Sequence, residues 1–211
     1  MATHQTPMDT PEAVFTAELG EKNMKTMLDY LGDMLSLEGH IEEALDRQLG
    51  TTKDHTVANA AVQRFHDMVK ANKIKLEKHI EGMADLKGNP VKELGANLLG
   101  KAAGVVNMVR TEGISKSLRD DYVAFNLAAI SYSMLDTTAR ALGDKKSTAL
   151  ADEGLRDYAS AAQEINQIIS EVVVWELEKD GHQVEPGAAG KTRRQIQKAW
   201  KETAPKTSTV H

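Results

Sequence analysis

The chain has 211 residues, enough for one domain with a sizeable core, and it is rich in helix-forming Ala, Leu, Met, Glu and Lys. The absence of Cys excludes a disulfide framework, a thiolate metal site and a cysteine nucleophile. Residues from Gly181 onward carry six basic and two acidic side chains, giving +4, so the overall charge of −5 leaves −9 for the rest.

Residues 1–10 are predicted to form a flexible, polar N-terminus, since residues 1–9 lack the apolar segment of a secretion signal. The apolar stretches elsewhere are too short to span a bilayer, so we expect no contact with membranes. The absence of Cys fits an intracellular, reducing compartment. We expect a helical domain over residues 11–181, followed by a basic C-terminal tail over residues 182–211.

Gly and Pro divide the chain into long segments of helical periodicity, without the alternation typical of strands. The fold class is therefore predicted to be all-α. The predicted helices span 11–49 with a break near Gly20, then 54–86, 91–110, 118–142, from after Ser147 to near Gly181, and 193–203. Residues 113–117 are predicted to be a connector, and residues 186–190 a linker.

The first helix has a heptad row of Met24, Leu31, Glu38 and Leu45, so a carboxylate stands where an apolar residue is expected. In the second helix a similar row contains polar residues, and in the last long helix the row is apolar. These rows are Phe65, Asn72, His79 and Leu86, and then Tyr158, Ile165 and Val172. Met24, Met27, Met34, Met68 and Met83 are interpreted as core residues of an interior poor in aromatic rings.

Short turns join the first two helices and the last two long helices, so each pair is predicted to form an antiparallel hairpin. About thirty residues, including the 91–110 helix, separate the two hairpins. A long crossover between two hairpins predicts a ferritin-like four-helix bundle. The 118–142 helix is apolar over most of its surface, so we expect it either to be the most buried helix or to face a partner subunit as well.

The segment Leu31-Gly-Asp-Met-Leu-Ser-Leu-Glu38 resembles the first helix of the YciE/YciF-type ferritin-like stress proteins. In that family Leu-x-Asp is followed five residues later by the first metal-binding Glu, as in Leu31, Asp33 and Glu38. The order of elements matches over about residues 18–179, including a helix that closes in Leu142-Gly143. The resemblance implies a cytoplasmic, stress-related protein of bacteria or archaea that forms a homodimer or larger homo-oligomer.

The di-metal centre of ferritin-like proteins needs a Glu from two helices and a Glu-x-x-His pair from each of the other two. None of the seven His residues has Glu or Asp three positions earlier. The second helix has Lys70, Asn72 and Lys73 where the family has ligands, and the third bundle helix has Phe125 and Leu127. We therefore expect no catalytic residue and no cofactor, with a non-enzymatic role in self-association or partner binding.

Three residues stay open as remnants of a metal site: Glu38, His66 and His79. Glu38 could be a residual ligand for Fe or Mn, a core acid satisfied by a polar neighbour, or exposed if the helix register differs. Hairpin geometry predicts a contact between Glu38 and His66. His79 is either a satisfied core or rim histidine or a ligand, and Asn72 is expected to fix helix register.

The acidic row Asp157, Glu164 and Glu171 is interpreted as a solvated face, with a weak cation site as the alternative. The basic tail is expected either to be solvated, with docking on the acidic body as one form of this, or to contact nucleic acid or another polyanion. The residues that would make the polyanion contact are Lys191, Arg193, Arg194, Lys198 and Lys201.

Overall fold

The computed structural model describes residues 19–84 and 113–203, and these residues form five α-helices without a strand. The helices are α1 (Glu21–Thr51), α2 (Thr56–Ala84), α3 (Ile114–Leu142), α4 (Lys145–Lys179) and α5 (Ala188–Thr203). The all-α fold class is thus confirmed for the described part of the chain. The predicted 91–110 helix, the N-terminal residues 1–10 and the predicted helical residues 11–18 lie outside it.

The turn between α3 and α4 shows why these helices form a hairpin. Gly143 ends α3 in the left-handed conformation, at φ 79°, and the Asp144 N–H donates back to the carbonyl of Ala139 at 2.8 Å. The Asp144 carboxylate then accepts from the backbone N–H groups of Lys146 and Ser147. This cap starts α4 at Lys145, so the prediction of a start after Ser147 was wrong by almost one helical turn.

The start of α3 also differs from the prediction, because residues 114–117 are helical rather than a connector. The first turn of a helix has backbone N–H groups without partners in the helix itself. The carboxylate of Glu176 on α4 supplies one acceptor, taking the N–H of Ser115 at 3.0 Å. A contact from a distant helix thus extends α3 beyond what local sequence indicates.

Contacts between side chains fix the directions of the helices. Gln48 and Glu38 of α1 bond Asp121 and Tyr132 of α3, so these two helices are antiparallel. Lys75 of α2 pairs with Glu153 of α4, and nearer its start α2 bonds α4 close to residue 164, so these are antiparallel as well. Because each hairpin is itself antiparallel, α2 and α3 run in the same direction. The chain between residues 84 and 113 therefore connects opposite ends of the two hairpins.

The four long helices, α1–α4, share one hydrophobic core, which we call the bundle core. The described residues of the predicted rows are buried in it, except that His79 is partly buried, and Leu86 lies outside the described residues. Met24, Met27, Met34 and Met83 are buried, while Met68 is partly buried. By contrast, α3 is not the most buried helix. A row of large apolar side chains on its outer face is exposed: Val123, Leu127, Ile130 and Met134.

The last helix, α5, begins at Ala188 rather than at Arg193, so the predicted linker over residues 186–190 is partly helical. It packs on α4, where Arg193 bonds the carboxylate of Glu171 at 2.7 Å. The basic helix α5 thus docks on the acidic body, while most of its residues stay exposed to solvent. In the described residues no helix is long and apolar enough to cross a bilayer.

Candidate functional site: a buried carboxylate between two tyrosines

Glu38 lies at the middle of α1 with its side chain fully buried in the bundle core, as the heptad row predicted. Its two carboxylate oxygens have different partners. The Tyr132 hydroxyl of α3 donates to Oε1 at 2.5 Å, and the Tyr158 hydroxyl of α4 donates to Oε2. Three helices therefore meet at one carboxylate, and the two tyrosine hydroxyls satisfy a group that would otherwise be costly to bury.

Gly154 makes room for one of these tyrosines. A Cβ atom built on Gly154 would lie 2.4 Å from Cζ of Tyr132 and less than 3 Å from both Cε atoms. The ring can lie against the α4 backbone only because the side chain of residue 154 is a hydrogen atom. Gly154 is in a helix, where glycine is normally unfavourable. Its position thus indicates a packing requirement for Tyr132.

Four aromatic rings form a chain of contacts that leads to the two tyrosines bonded to Glu38. Phe65 contacts Phe125 edge-to-face at 5.1 Å between ring centroids, Phe125 lies 5.5 Å from Tyr158, and Tyr158 lies 5.8 Å from Tyr132. Each of α2, α3 and α4 contributes to the cluster. Only 4% of the chain is aromatic, so much of the aromatic content is concentrated in this one cluster.

Burial raises the pKa of Glu38 from 4.5 to about 7, because water no longer stabilises the charged form. The hydrogen bonds from Tyr132 and Tyr158 oppose this rise, while the negative charges of Asp157 and Glu42 add to it. Burial, followed by the charge of Glu38, also raises the pKa of both tyrosines well above 10. The centre therefore changes its charge near neutral pH through Glu38, with both phenols protonated.

The predicted contact between Glu38 and His66 was wrong. His66 lies at the edge of the bundle, where its ring nitrogens are 3.9 Å from Asp46 and 3.7 Å from Asp67. Asp46 is eight residues beyond Glu38, about two helical turns along α1. The prediction placed residue 38 opposite residue 66 by counting from the turn between the two helices. In the structure α1 and α2 pair in a different register, and Glu38 points towards α3 and α4.

His79 belongs to a different polar cluster, at the turn between α3 and α4. Its Nε2 lies 2.7 Å from Oγ of Ser147, and the Ser147 hydroxyl donates to the Asp144 carboxylate at 2.6 Å. Burial lowers the pKa of His79, opposed by the charge of Asp144. Ser147 is fully buried and holds the N-terminus of α4, so the three groups act as a helix cap rather than as an accessible nucleophile.

A second buried carboxylate, Asp121, lies nearer the other end of the bundle. The Gln48 amide donates to Asp121 Oδ1 at 2.7 Å, but Asp121 Oδ2 and Gln48 Oε1 are both buried without a hydrogen-bond partner. Burial raises the pKa of Asp121 to about 7, against the effect of Gln48 and with that of Asp120. The sequence analysis missed this pair, which no heptad row had singled out.

The sequence analysis also missed Tyr132, although a signal for it exists. Leu118, Phe125, Tyr132 and Ala139 are spaced by seven and are all buried. This row was hidden because α3 is apolar on its exposed face as well. Tyr158 was found in its row, but nothing local links it to Glu38, 120 residues earlier.

The remaining polar candidates form hydrogen bonds or ion pairs with other side chains of the bundle. Asn72 is buried and its Oδ1 accepts from Lys75 at 3.4 Å, whereas its Nδ2 lacks a partner. In the predicted acidic row, Glu164 pairs with Arg64 and Glu171 pairs with Arg193. These side chains stay partly exposed, so the solvated face also carries ion pairs that join α4 to α2 and α5.

Metal ligands are not brought together in the part of the chain that the structure describes. Among these residues no group of three or more His, Asp or Glu side chains could hold one ion. Glu38, His66 and His79 lie in separate places, with tyrosines, acids and a serine as their respective neighbours. Carboxylate and imidazole donors must converge within about 2–3 Å of a metal, so these three residues cannot form one site together.

The comparisons with known proteins add information on the fold. No family model matches the chain, and no curated protein matches it. Among solved structures it is similar to the crystal structure of a protein from Xanthomonas campestris pv. campestris. The TM-score is 0.59 at 13% sequence identity, and the match covers 76% of this chain and 99% of that one. At this level of identity the likeness shows a shared fold.

Proposed function

We propose that the protein is a ferritin-like bundle that has exchanged its di-metal centre for a carboxylate–tyrosine hydrogen-bond centre. It acts without catalysis, in the cytoplasm and in connection with stress, by binding other protein chains. The observation that carries the proposal is that both oxygens of Glu38 accept hydrogen bonds from buried tyrosines.

The ferritin-like part is supported by the helix directions. Because α2 and α3 run the same way, the residues between 84 and 113 have to cover the length of a helix of 29 residues, roughly 40 Å. Two hairpins joined by a connection of this length are typical of ferritin-like proteins. The resemblance around Leu31, Asp33 and Glu38 points to the same class.

The loss of metal chemistry is supported by the donors around Glu38. A hard cation needs several free oxygen or nitrogen donors, whereas both carboxylate oxygens of Glu38 are bonded to protonated phenols. The hydroxyl hydrogens point at the carboxylate oxygens that a metal would need. Burial that favours the neutral acid weakens metal binding further, because a proton competes for the same oxygens.

The test is the metal content of protein purified without chelator, followed by titration with Fe(II) and Mn(II). We expect less than stoichiometric metal in the wild-type protein and no difference between it and a Glu38→Ala variant. Glu38→Gln serves as a folding control, since an amide preserves the size of the group. Stoichiometric Fe, Mn or Zn that disappears in both variants would overturn the proposal and favour an atypical metal site around Glu38.

A second candidate function is polyanion binding by α5. This helix presents four exposed basic side chains along its length: Lys191, Arg194, Lys198 and Lys201. Arg193, the fifth basic residue, is held by Glu171, so the helix stays attached to α4 while the others face solvent. Such a helix could neutralise several phosphates.

Charge reversal tests this candidate. If it is correct, wild-type protein binds a DNA or RNA duplex with an affinity that falls with salt, and Lys198→Glu with Lys201→Glu abolishes binding. The matched control reverses two exposed lysines on α1, Lys22→Glu with Lys25→Glu, which changes the net charge equally. Equal loss in both variants would indicate an effect of net charge alone and would remove α5 as a binding site.

A further inference from the structure

The outer face of α3 carries an apolar row that the bundle core does not use. Val123, Leu127, Ile130 and Met134 are between 51% and 58% exposed, although residues of these types are normally buried. The sequence between Tyr122 and Leu135 contains no charged residue over almost four helical turns. Contiguous exposed apolar surface of this kind usually marks an interaction site.

The polar side chains beside this row already have partners within α3. The Asn126 amide donates to the Tyr122 carbonyl at 2.7 Å, Ser131 donates to Leu127 at 2.8 Å, and Thr137 donates to Ser133 at 2.8 Å. Covering this face would therefore leave none of these three donors without a hydrogen-bond partner. The cost of removing water from it is correspondingly low, since it is unsatisfied polar groups that make burial expensive.

The spacing of the row is symmetric. Its four residues follow one another at intervals of four, three and four, which reads the same in both chain directions. A second copy of α3 packed antiparallel about a two-fold axis would place Val123 opposite Met134 of that copy and Leu127 opposite Ile130. Each contact then occurs twice, which is the condition for an isologous interface.

The charges at the end of the row distinguish antiparallel from parallel packing. Arg119 and Asp120 flank the start of the row, whereas the uncharged Thr137 and Thr138 flank its end. Parallel copies would place Arg119 beside Arg119 and Asp120 beside Asp120. Antiparallel copies place both charges opposite threonines, so like charges are kept apart.

We propose that the outer face of α3 binds a second copy of this chain, antiparallel and about a two-fold axis between Leu127 and Ile130. The proposal rests on the binding role inferred above and names its partner. It assigns Val123, Leu127, Ile130 and Met134 to the centre of the interface and Asn126, Ser131, Thr137 and Thr138 to its rim.

The first test measures molar mass against concentration by sedimentation or light scattering. We expect wild-type protein to be a dimer and Leu127→Glu with Ile130→Glu to raise the dissociation constant at least tenfold. Both residues are exposed, so helix content by circular dichroism should stay unchanged. The matched control is Val57→Glu with Ile74→Glu, which introduces the same charges at two exposed apolar positions on α2 and should leave the dimer intact.

The second test determines the direction of packing by thiol cross-linking. Only introduced thiols can react, because the chain lacks Cys. An equimolar mixture of Val123→Cys and Met134→Cys proteins, distinguishable by a tag, should give a cross-linked heterodimer. Neither variant alone should cross-link, because in the antiparallel arrangement equal positions lie about 16 Å apart along the helix. Efficient cross-linking of Val123→Cys with itself would show parallel packing and overturn the proposal.

Three other results would also overturn it. These are a monomer at all concentrations, a dimer that persists in the Leu127→Glu, Ile130→Glu variant, and a monomer whose Leu127→Cys thiol resists modification because another part of the chain covers it. The metal assay separates this inference from the proposed function. A metal-free monomer would contradict only the interface, whereas a dimer with stoichiometric metal would contradict only the metal-free centre.

Discussion

The ring of Tyr132 lies against the backbone of α4 at Gly154, so closely that a Cβ atom there would come within 2.4 Å of the ring. The same tyrosine donates its hydroxyl to Glu38 on α1. Replacing one hydrogen of Gly154 on α4 by a methyl group should therefore weaken a hydrogen bond between α1 and α3. This substitution disturbs the centre without altering any of its polar groups.

Gly154→Ala should force the Tyr132 ring away from α4 and weaken its bond to Glu38. We expect a loss of roughly 1–3 kcal/mol in the free energy of unfolding, as is usual for overpacked cores. Urea denaturation provides the measurement. Gly82→Ala is the matched control, because nothing lies within 4 Å of a Cβ at that helical position. It should be neutral or stabilising by up to about 1 kcal/mol, and equal effects at both positions would contradict the packing argument.

Glu38→Gln should change how stability depends on pH. The folded protein holds the Glu38 proton more tightly than the unfolded chain does, since the pKa is raised from 4.5 to about 7. The contribution of Glu38 is therefore most favourable below about pH 4.5 and falls as the pH rises to about 7. Glutamine mimics the neutral acid, so the variant should gain stability relative to wild type between pH 4.5 and 8, by about 3 kcal/mol.

The control for this comparison is Glu43→Gln, at an exposed position on the same helix that is bonded to Arg47. Urea denaturation of the three proteins at several pH values should show the growing difference for Glu38→Gln only. A constant difference between Glu38→Gln and wild type over this range would mean that the buried carboxylate does not titrate there.

Asp121→Asn should stabilise the protein at pH 8. The raised pKa of Asp121, about 7, means that stability is lost as pH rises from about 4 to 7, because the folded state must then bury a charge. An asparagine amide carries no charge and can donate to Gln48 Oε1, which lacks a partner. Asp121→Ala removes the charge but leaves the Gln48 amide unpaired, so it should be roughly 1–2 kcal/mol less stable than Asp121→Asn. Equal thermal unfolding of the two variants at pH 8 would contradict this account.

The phenols of Tyr132 and Tyr158 should not ionise in the folded protein. Burial and the charge of Glu38 raise the pKa of both groups well above 10. In a titration followed by ultraviolet absorbance, wild type and a Tyr132→Phe, Tyr158→Phe variant should therefore show the same phenolate signal until alkaline unfolding begins. A larger signal from wild type at lower pH, with circular dichroism unchanged, would show that the centre is open to solvent.

Local periodicity was enough to predict the five helices that the structure describes and the inward position of Glu38. Heptad spacing places residues on one helix face whatever the rest of the chain does, so Met24, Leu31, Glu38 and Leu45 are buried as predicted. The turn at Gly143 and the short connection after α1 were also predicted from local sequence, because Gly and short spacing separate the helical segments there. The predicted helix starts near residues 114 and 145 were less accurate, since the Glu176 and Asp144 side chains bond the backbone there. The start at residue 188 was also predicted too late.

The groups that bond Glu38 depend on how the helices pack against one another, which local periodicity does not specify. Its partners are 94 and 120 residues away, and their approach depends on the register between hairpins and on the space left by Gly154. Hairpin arithmetic gave His66 instead, because spacing along a chain says little about how far two helices slide past each other. The sequence likewise showed that α3 is apolar over most of its surface. Which of its apolar residues lie outside the bundle core depends on the side of α3 that packs on α1 and α4.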